Sequence, residues 1–398
     1  MDAAVKPPVE PSIDDIKKAV SKLASQLPNR AEENERRGCL DDQTIGAILD
    51  AGVMRLGVPK RYGGLEVDFE EIPTISRLLG RGCLATSWTI GILLQHNMQM
   101  GLYPEQAQDE FWADGPNTFA PGFIIPGGTA KPVAGGYQLT GHWRFGSGYP
   151  MGDWILLSAH ELVAGEKGKP IRFALPKADT NPKNNWQVSG LAASGTWDCI
   201  LNDVFVPAHR SMPASSLLDG SAPGLEVNKG AIWRIPMLSF YYPNMSAMVL
   251  GAAEGVAAQA LERAKGRVLA YGGAQASDLA YMRINMAKAH TTLNAAAALL
   301  ESEMRRIGQA SRAGLAIDLA QRAAVRANCT WVVKTARQTA QELCDQAGTS
   351  AYFMNCHLQR FHRELSVMSS HSFYDNDRMH EVYGRALFGL ELPPGELV

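Results

Sequence analysis

Residues 137–160, YQLTGHWRFGSGYPMGDWILLSAH, decide what kind of chain this is. Tyr137, Leu139 and Trp143 follow a period of two, and Trp154-Ile155-Leu156-Leu157 resumes an apolar run, so both flanks predict strand. Phe145-Gly146-Ser147-Gly148 interrupts them. Glycine weakens a strand and marks either a β-bulge or a place where a ligand approaches the backbone. On these residues alone both alternatives stand.

The surroundings repeat the strand pattern and then lose it. Over residues 116–222 the runs GGYQLTGHWRF, DWILLSAH, RFALP, WQVSG and ILNDVFVP are each bounded by turn residues, which predicts several short antiparallel strands. Residues 1–115 read helical, with Ile16, Val20, Leu23 and Leu27 at helical spacing and a long apolar stretch from Asp68 to Met100 interrupted near Gly82. Residues 223–398 return to helix in long Ala-rich segments, such as MSAMVLGAAEGVAAQALERAKGRVLA, and predict a bundle. The expected class is α+β, a β-domain set inside a helical chain.

Composition excludes several functions. The chain has 398 residues, 46% apolar and 20% charged, with net charge −2, as a soluble globular protein does. It carries no basic stripe for nucleic acid or anionic membrane. No apolar run has the length of a membrane helix. The opening MDAAVKPPVEPSIDD lacks the basic and apolar regions of a secretory signal. Cys39, Cys83, Cys199, Cys329, Cys344 and Cys356 are scattered, without metal-ligand spacing, which points to reduced thiols, a cytoplasmic location and no metal site.

Residues 190–210, GLAASGTWDCILNDVFVPAHR, place Gly190, Ser194, Gly195 and Thr196 ahead of a strand ending Asp203-Val204 and Val206-Pro207. This resembles the signature of the acyl-CoA dehydrogenase superfamily, a G-(x)3-S-G-(S/T) turn before D-V-x-V-P. GGYQLTGHWRFGSG is similar to the superfamily segment that lies against the flavin, and LCDQAGTSAYFMNCHLQRFHRE to its late, arginine-bearing helix-turn-helix. The motifs come in the expected order along nearly the whole chain. The resemblance implies an N-terminal helical domain, a central antiparallel β-barrel-like domain, a C-terminal four-helix bundle and a homotetramer.

Within that superfamily a dehydrogenase needs a carboxylate base. The family's Y-E-G position here reads Tyr374-Asp375-Asn376, and LSFYYPNMSAMV, the alternative position, carries no acid. Asp375 and Asp377 read instead as a helix-start cap. SHSFYDNDRMHEVYGRALFGLELPP resembles the C-terminal segment of two-component flavin-dependent monooxygenases of the 4-hydroxyphenylacetate 3-hydroxylase type, matching at His371, Phe373, Gly384-Arg385 and Gly389. SWTIGILLQHN matches at Trp88 and His96, eight residues apart and so on roughly one side of a helix. Ser147 matches a serine beside the flavin, and Arg234 in WRIP an arginine near its edge. Where those enzymes carry Ser or Thr, this chain has Ala120-Pro121-Gly122, and Phe373 stands for their Tyr, so a more apolar aromatic substrate is expected.

The resemblance therefore implies an oxygenase component. A separate flavin reductase would supply reduced FMN or FAD, consistent with the lack of a G-x-G-x-x-G after a strand. Reduced flavin and O2 would form a C4a-hydroperoxide that hydroxylates a phenolic or indole-like ring. His371 or His96 would bind or deprotonate the substrate hydroxyl or NH, imidazole being the group that titrates near neutrality. Ser147 would steady the flavin. Phe145, Gly146, Ser147, Gly148, Trp88, Arg234, Arg267 and Arg360 are the expected cofactor contacts, with the glycines admitting the ring. Arg267, Arg360 and Arg363 would reach its phosphate or ribityl chain, in part across subunits. Gly122, Phe240, Tyr241 and Phe373, with the two histidines, are the expected substrate contacts. His142, His160, His209 and His380 read as structural or solvated. N- or S-oxygenation on the same fold, and an acyl-CoA dehydrogenase-type desaturase, remain the alternatives.

Overall fold

Six helices open the chain. The structure, a computed structural model, describes residues 11–270, 272–393 and 396; residues 1–10, and most of the stretch read for a secretory signal, lie outside them. Helix α1 (Ile13–Gln26) starts at Ser12, whose hydroxyl accepts from Asp15 N at 3.2 Å while the Asp15 carboxylate accepts from Ser12 N at 3.3 Å. That reciprocal cap satisfies two otherwise orphaned donors. Helix α1 buries Ile16, Val20 and Leu23, the face read from the sequence. After α2 (Pro28–Arg37) and α3 (Asp42–Asp50), α4 (Glu71–Gly82) and α5 (Leu84–Met100) are parted by the extended backbone of Cys83 at the expected break. Then comes α6 (Glu105–Phe111). All residues of α5 are buried, so it is a core helix whose polar side chains face protein or cavity rather than bulk water.

The eight strands are β1 (Gly122–Phe123), β2 (Gly128–Val133), β3 (Gly136–Gly146), β4 (Trp154–Val163), β5 (Glu166–Pro176), β6 (Asn181–Lys183), β7 (Trp197–Pro207) and β8 (Ser211–Pro213). They form one sheet in the order β6-β7-β3-β2-β4-β5-β8, with β1 beside β4. The pairing is not purely antiparallel: β1 and β2 both run parallel to β4. The β2–β3 hairpin carries the chain away, and the turn at Tyr149–Met151 returns it to start β4 beside β1, in the same direction. Phe123, Leu139, Trp143, Ile155, Leu157 and Phe173 fill the core of the sheet.

The remaining helices are α7 (Ser216–Asp219), α8 (Met237–Gly266), α9 (Ala280–Arg312), α10 (Leu319–Gln346), α11 (His357–Met368) and α12 (Asn376–Leu387). Helix α8 is the axis of the bundle and is buried nearly all round from Met237 to Ala257. Its small residues allow α4 to lie directly on it. A Cβ added to Gly251 would come 2.1 Å from the Arg77 carbonyl oxygen, so only glycine permits that approach. Asp375 caps α12, accepting from Arg378 N at 3.1 Å. The order of helices, sheet and helical bundle is the architecture that the sequence motifs imply.

Candidate active site

The sheet, α5, α8 and the segment after α11 enclose one cavity of about 680 Å³, a size that suits a ligand-binding site. Helix α5 contributes Trp88, Ile92 and His96; β1 and the loop after it contribute Gly122 to Gly127; β3 contributes His142, Arg144, Phe145 and, just beyond, Ser147. Tyr241 and Met245 come from α8, and Val367, Met368 and Ser370 to Phe373 from the far end of the chain. The lining holds no Asp or Glu among the described residues.

A bulge sets the wall at β3. Between Trp143 and Gly146, β3 has one residue more than β7 opposite, and Phe145 sits at φ 72°, a left-handed conformation that costs a non-glycine residue energy. The bulge turns Phe145 out to the cavity mouth, 58% exposed, edge-on to Trp186 at 6.0 Å. The two readings of the broken strand thus coincide: it is a bulge, and it lines a cavity. The glycines, however, serve the protein rather than a ligand. A Cβ on Gly146 would lie 2.3 Å from the Phe123 ring, and Gly148 is left-handed at φ 77°; neither lines the cavity. Ser147, between them, does. Its Oγ accepts from Trp88 Nε1 at 2.9 Å and lies 2.8 Å from Thr196 Oγ1.

Two histidines meet in the cavity from opposite ends of the chain. His96 is 2% exposed, and its Nδ1 stands 2.8 Å from the carbonyl oxygen of Ala120. A carbonyl only accepts, so Nδ1 carries the proton and Nε2 keeps a free lone pair. A Cβ at position 122 would come 2.8 Å from that Nε2, so the missing side chain of Gly122 is what leaves it open. At His371 the backbone N–H of Phe373 donates to Nδ1 at 3.2 Å, so the proton sits on Nε2. The pair therefore offers one acceptor and one donor. His371 lies edge-on to Trp88 at 5.7 Å and to Phe373 at 5.1 Å, and the Phe373 ring stacks on Tyr242 at 5.3 Å.

Burial favours the neutral form of both imidazoles. Burial, and then the charge of Arg172, push His96 down to about 3. Burial pushes His371 down to about 4. His371 nonetheless has an exposed surface, which faces the open cavity. Its shift is therefore felt in full only when a ligand displaces the cavity water. Arg172 is 1% exposed and bonds only neutral groups, donating to Phe123 O at 2.6 Å, to Ser158 Oγ at 2.8 Å and to Gln99 Oε1. No carboxylate pairs with it among the described residues, so an uncompensated cation stands behind His96.

The structure brings Trp88, His96, Gly122, Phe145, Ser147, Tyr241, His371 and Phe373 together around this cavity. Phe240 points away, buried against Phe69 at 5.3 Å, because successive residues on a helix lie about 100° apart and Tyr241 already faces the cavity. Three expected arginines lie elsewhere in their own chain. Arg234 is exposed and reaches Lys229 O at 3.4 Å; Arg267 donates to Gln346 O at 2.9 Å; Arg360 is buried and paired with Glu35 at 3.2 Å. The nearby Arg363 also pairs with Glu35. His142 sits at the cavity rim rather than merely in solvent, its Nε2 2.7 Å from the carboxylate of buried Asp198. It shares a face of β3 with Arg144, opposite Trp143, an alternation legible in GHWRF.

These features define a flavoprotein-like site on an acyl-CoA dehydrogenase scaffold. The chain matches the acyl-CoA dehydrogenase N-terminal domain over residues 11–112 and the acyl-CoA dehydrogenase C-terminal domain over residues 244–376, and it belongs to that superfamily. Its relatives lie in the oxygenase branch. It is 29% identical to a pigment production hydroxylase of Rhodococcus sp., covering 94% of this chain and 96% of that one. It is 27% identical to the oxygenase component of p-hydroxyphenylacetate 3-hydroxylase of Acinetobacter baumannii, covering 94% and 89%. It is 28% identical to the flavin-dependent monooxygenase oxygenase subunit HsaA of Mycobacterium tuberculosis, covering 95% and 96%. The crystal structure of the HsaA monooxygenase superimposes with a TM-score of 0.91 over 97% of this chain and 99% of that one.

Proposed function

We propose that this protein is the oxygenase component of a two-component flavin-dependent monooxygenase, hydroxylating an aromatic substrate that bears a ring hydroxyl or NH. A separate reductase delivers reduced FMN or FAD. The observation that carries this is that two imidazoles of opposite hydrogen-bonding polarity line one apolar cavity, with no carboxylate in its lining among the described residues. A desaturase of the same fold would need an acid there to take a proton from carbon.

The cavity fits an isoalloxazine: its size, its apolar walls and the Ser147 hydroxyl suit a flat ring with a polar edge. Bound reduced flavin, with O2, supplies the oxygen-transfer chemistry. The protein's part is to orient, to exclude water and to handle one proton. Trp88 and Thr196 hold Ser147 against the ring edge. Phe145 covers the mouth. The substrate hydroxyl or NH donates to His96 Nε2, and His371 Nε2–H donates to the substrate oxygen where there is one. As the ring is attacked, electron density leaves that oxygen or nitrogen, and its proton becomes acidic enough to pass to His96 even though burial weakens this base. Ile92, Ile124, Met245 and Met368 give the substrate an apolar bed.

The protein is proposed to be cytoplasmic; among the described residues no helix is long and apolar enough to cross a membrane. A homotetramer is proposed through the C-terminal helices, where Leu319, Trp331, Leu387 and Phe388 stand exposed. The test is anaerobic mixing of protein, reduced FMN and a panel of phenols and indoles, followed by O2. Hydroxylated product formed without any nicotinamide supports the proposal. Tight stoichiometric FAD that an acyl thioester reduces refutes it.

A further inference from the structure

Arg144 is the one lysine or arginine in the cavity lining among the described residues. The arginines expected to reach a flavin phosphate lie outside that lining in their own chain: Arg267 is tied to Gln346 O, and Arg360 and Arg363 to Glu35. No carboxylate pairs with Arg144 among the described residues. Asp198, bonded to the same stretch of β3, is 2% exposed and already accepts from His142 Nε2 at 2.7 Å, Asn185 Nδ2 at 2.9 Å and Phe145 N at 3.3 Å. It is committed to the protein's own donors.

The bulge places Arg144. In a regular strand with Trp143 turned inward, residue 144 faces out and residue 145 faces in again. With one residue extra, Arg144 and Phe145 are both exposed while Trp143 and Gly146 are buried. The Arg144 guanidinium lies over the Phe145 ring, 4.9 Å from its centroid, and Phe145 is propped edge-on against Trp186. A guanidinium that rests its face on a ring keeps the N–H groups of its edge, a fork that fits two oxygens of a phosphate or carboxylate.

The interior cannot take such an anion. Its walls are mostly apolar, and an oxyanion placed among them would lose its hydration with no cation in contact. Arg172 stands behind the wall, 1% exposed and outside the lining, so no ligand oxygen reaches it. A ligand with a flat ring and one charged end must therefore put the ring inside and the charge at the mouth. Arg144 comes three residues before Ser147, at most roughly 10 Å along the strand, which leaves room for a short polyol between a ring edge at one and a phosphate at the other.

We propose that Arg144 is the anchor for the anionic end of the flavin, its phosphate. This deepens the flavin-dependent reading and rests on it. A carboxylate on the substrate is the same oxyanion chemistry from another source, and the test separates the two.

The whole protein is titrated anaerobically with reduced FMN and with reduced riboflavin, which lacks the phosphate, and tryptophan fluorescence is followed, since Trp88 and Trp186 line the cavity. Reduced FMN should bind wild type more tightly than reduced riboflavin by roughly tenfold, between the worth of an exposed ion pair and that of a sheltered charge-assisted bond. Arg144→Gln should abolish that preference and leave riboflavin unchanged, and Arg144→Lys should keep part of it. The preference should also shrink as salt is raised. The second arm compares 3-(4-hydroxyphenyl)propionate with 4-propylphenol, alike but for the carboxylate, by kcat/KM at saturating reduced FMN; Arg144→Gln should leave their ratio as in wild type. An intact FMN preference in Arg144→Gln overturns the phosphate anchor, and a collapsed ratio of the two phenols beside it assigns Arg144 to the substrate carboxylate instead. If neither arm moves, Arg144 holds no anion at all. Wild type that binds neither reduced flavin overturns the oxygenase reading itself, and the anchor with it. Arg144 is an exposed side chain, so thermal unfolding should stay at the wild-type midpoint in both variants.

Discussion

Gly122→Ala should disable hydroxylation by adding a single methyl group. The new Cβ would stand 2.7 Å from His96 Cε1, 2.8 Å from Nε2 and 3.0 Å from Nδ1. Carbon contacts are comfortable at about 3.5–4.0 Å, so the ring must retreat by roughly 0.7 Å or turn. Either movement acts on the 2.8 Å bond from Nδ1 to Ala120 O, which fixes the tautomer, and covers the Nε2 lone pair. Position 122 has no positive φ, so backbone strain plays no part. Removing a general base costs about 10²–10⁴-fold, and overpacking costs about 1–3 kcal/mol of stability. Single-turnover mixing of reduced FMN, O2 and substrate should show product replaced by hydrogen peroxide, with flavin reoxidation complete. Gly46→Ala, in α3 with nothing within 4 Å of the added carbon, is the control and should hydroxylate normally. Wild-type product yield from Gly122→Ala would mean that His96 Nε2 is not the proton acceptor.

The two histidines should fail differently. His96→Ala loses the base and falls about 10²–10⁴-fold in product formation, whereas His371→Ala loses a hydrogen-bond donor worth about 1–3 kcal/mol, or roughly tenfold to a hundredfold; equal losses in single-turnover product yield would reverse the tautomer assignment. Ser147→Ala should raise hydrogen peroxide release by roughly tenfold to a hundredfold with FMN binding little changed, since one hydrogen bond to the ring edge is lost; unchanged coupling would reduce Ser147 to part of a bulge. Burial of neutral His96 should make the protein acid-sensitive. The unfolded imidazole takes up a proton below about 6.5, and the folded one does not until about 3. Stability present above pH 6.5 is therefore lost as pH falls, by about 2 kcal/mol at pH 5. Denaturant midpoints at pH 7 and pH 5 should differ less in His96→Asn than in wild type.

What the sequence made legible follows from which contacts are local. Helix α1 could be read from its apolar spacing, and the strand interruption at Phe145 from Gly146 and Gly148, because both depend on neighbours in the chain. The Trp88–His96 spacing placed both on α5 through helix geometry alone. Tertiary partners could not be read. Gly146 is glycine because Phe123, from another strand, occupies the space of its side chain. Phe240 and Tyr241 are alike in composition, and only the rotation of α8 decides which one meets the cavity. Arg360 and Arg363 look like free cations until α2 brings Glu35 to them. The proton positions on His96 and His371 depend on Ala120 O and Phe373 N, and the first of these comes from outside the helix that bears the ring. Arg172 gave no signal at all, since a lone arginine in RFALP looks like any exposed strand residue, yet it is buried.

The cavity draws its walls from α5, the sheet, α8 and the run from Ser370 to Phe373. A chain leaving the ribosome makes Trp88 and His96 early and His371 late, with the sheet and most of the bundle between. Nearly all of the hydrophobic core can therefore assemble before the donor imidazole exists, and a nascent or truncated chain holds an apolar hollow open to water. Such a species is a substrate for chaperones and proteases long before it is an enzyme. Ser370, His371 and Ser372 are exposed residues of the segment that completes the site. A single cut there would leave the helices and sheet standing while ending catalysis, so loss of activity would precede loss of structure as the protein ages.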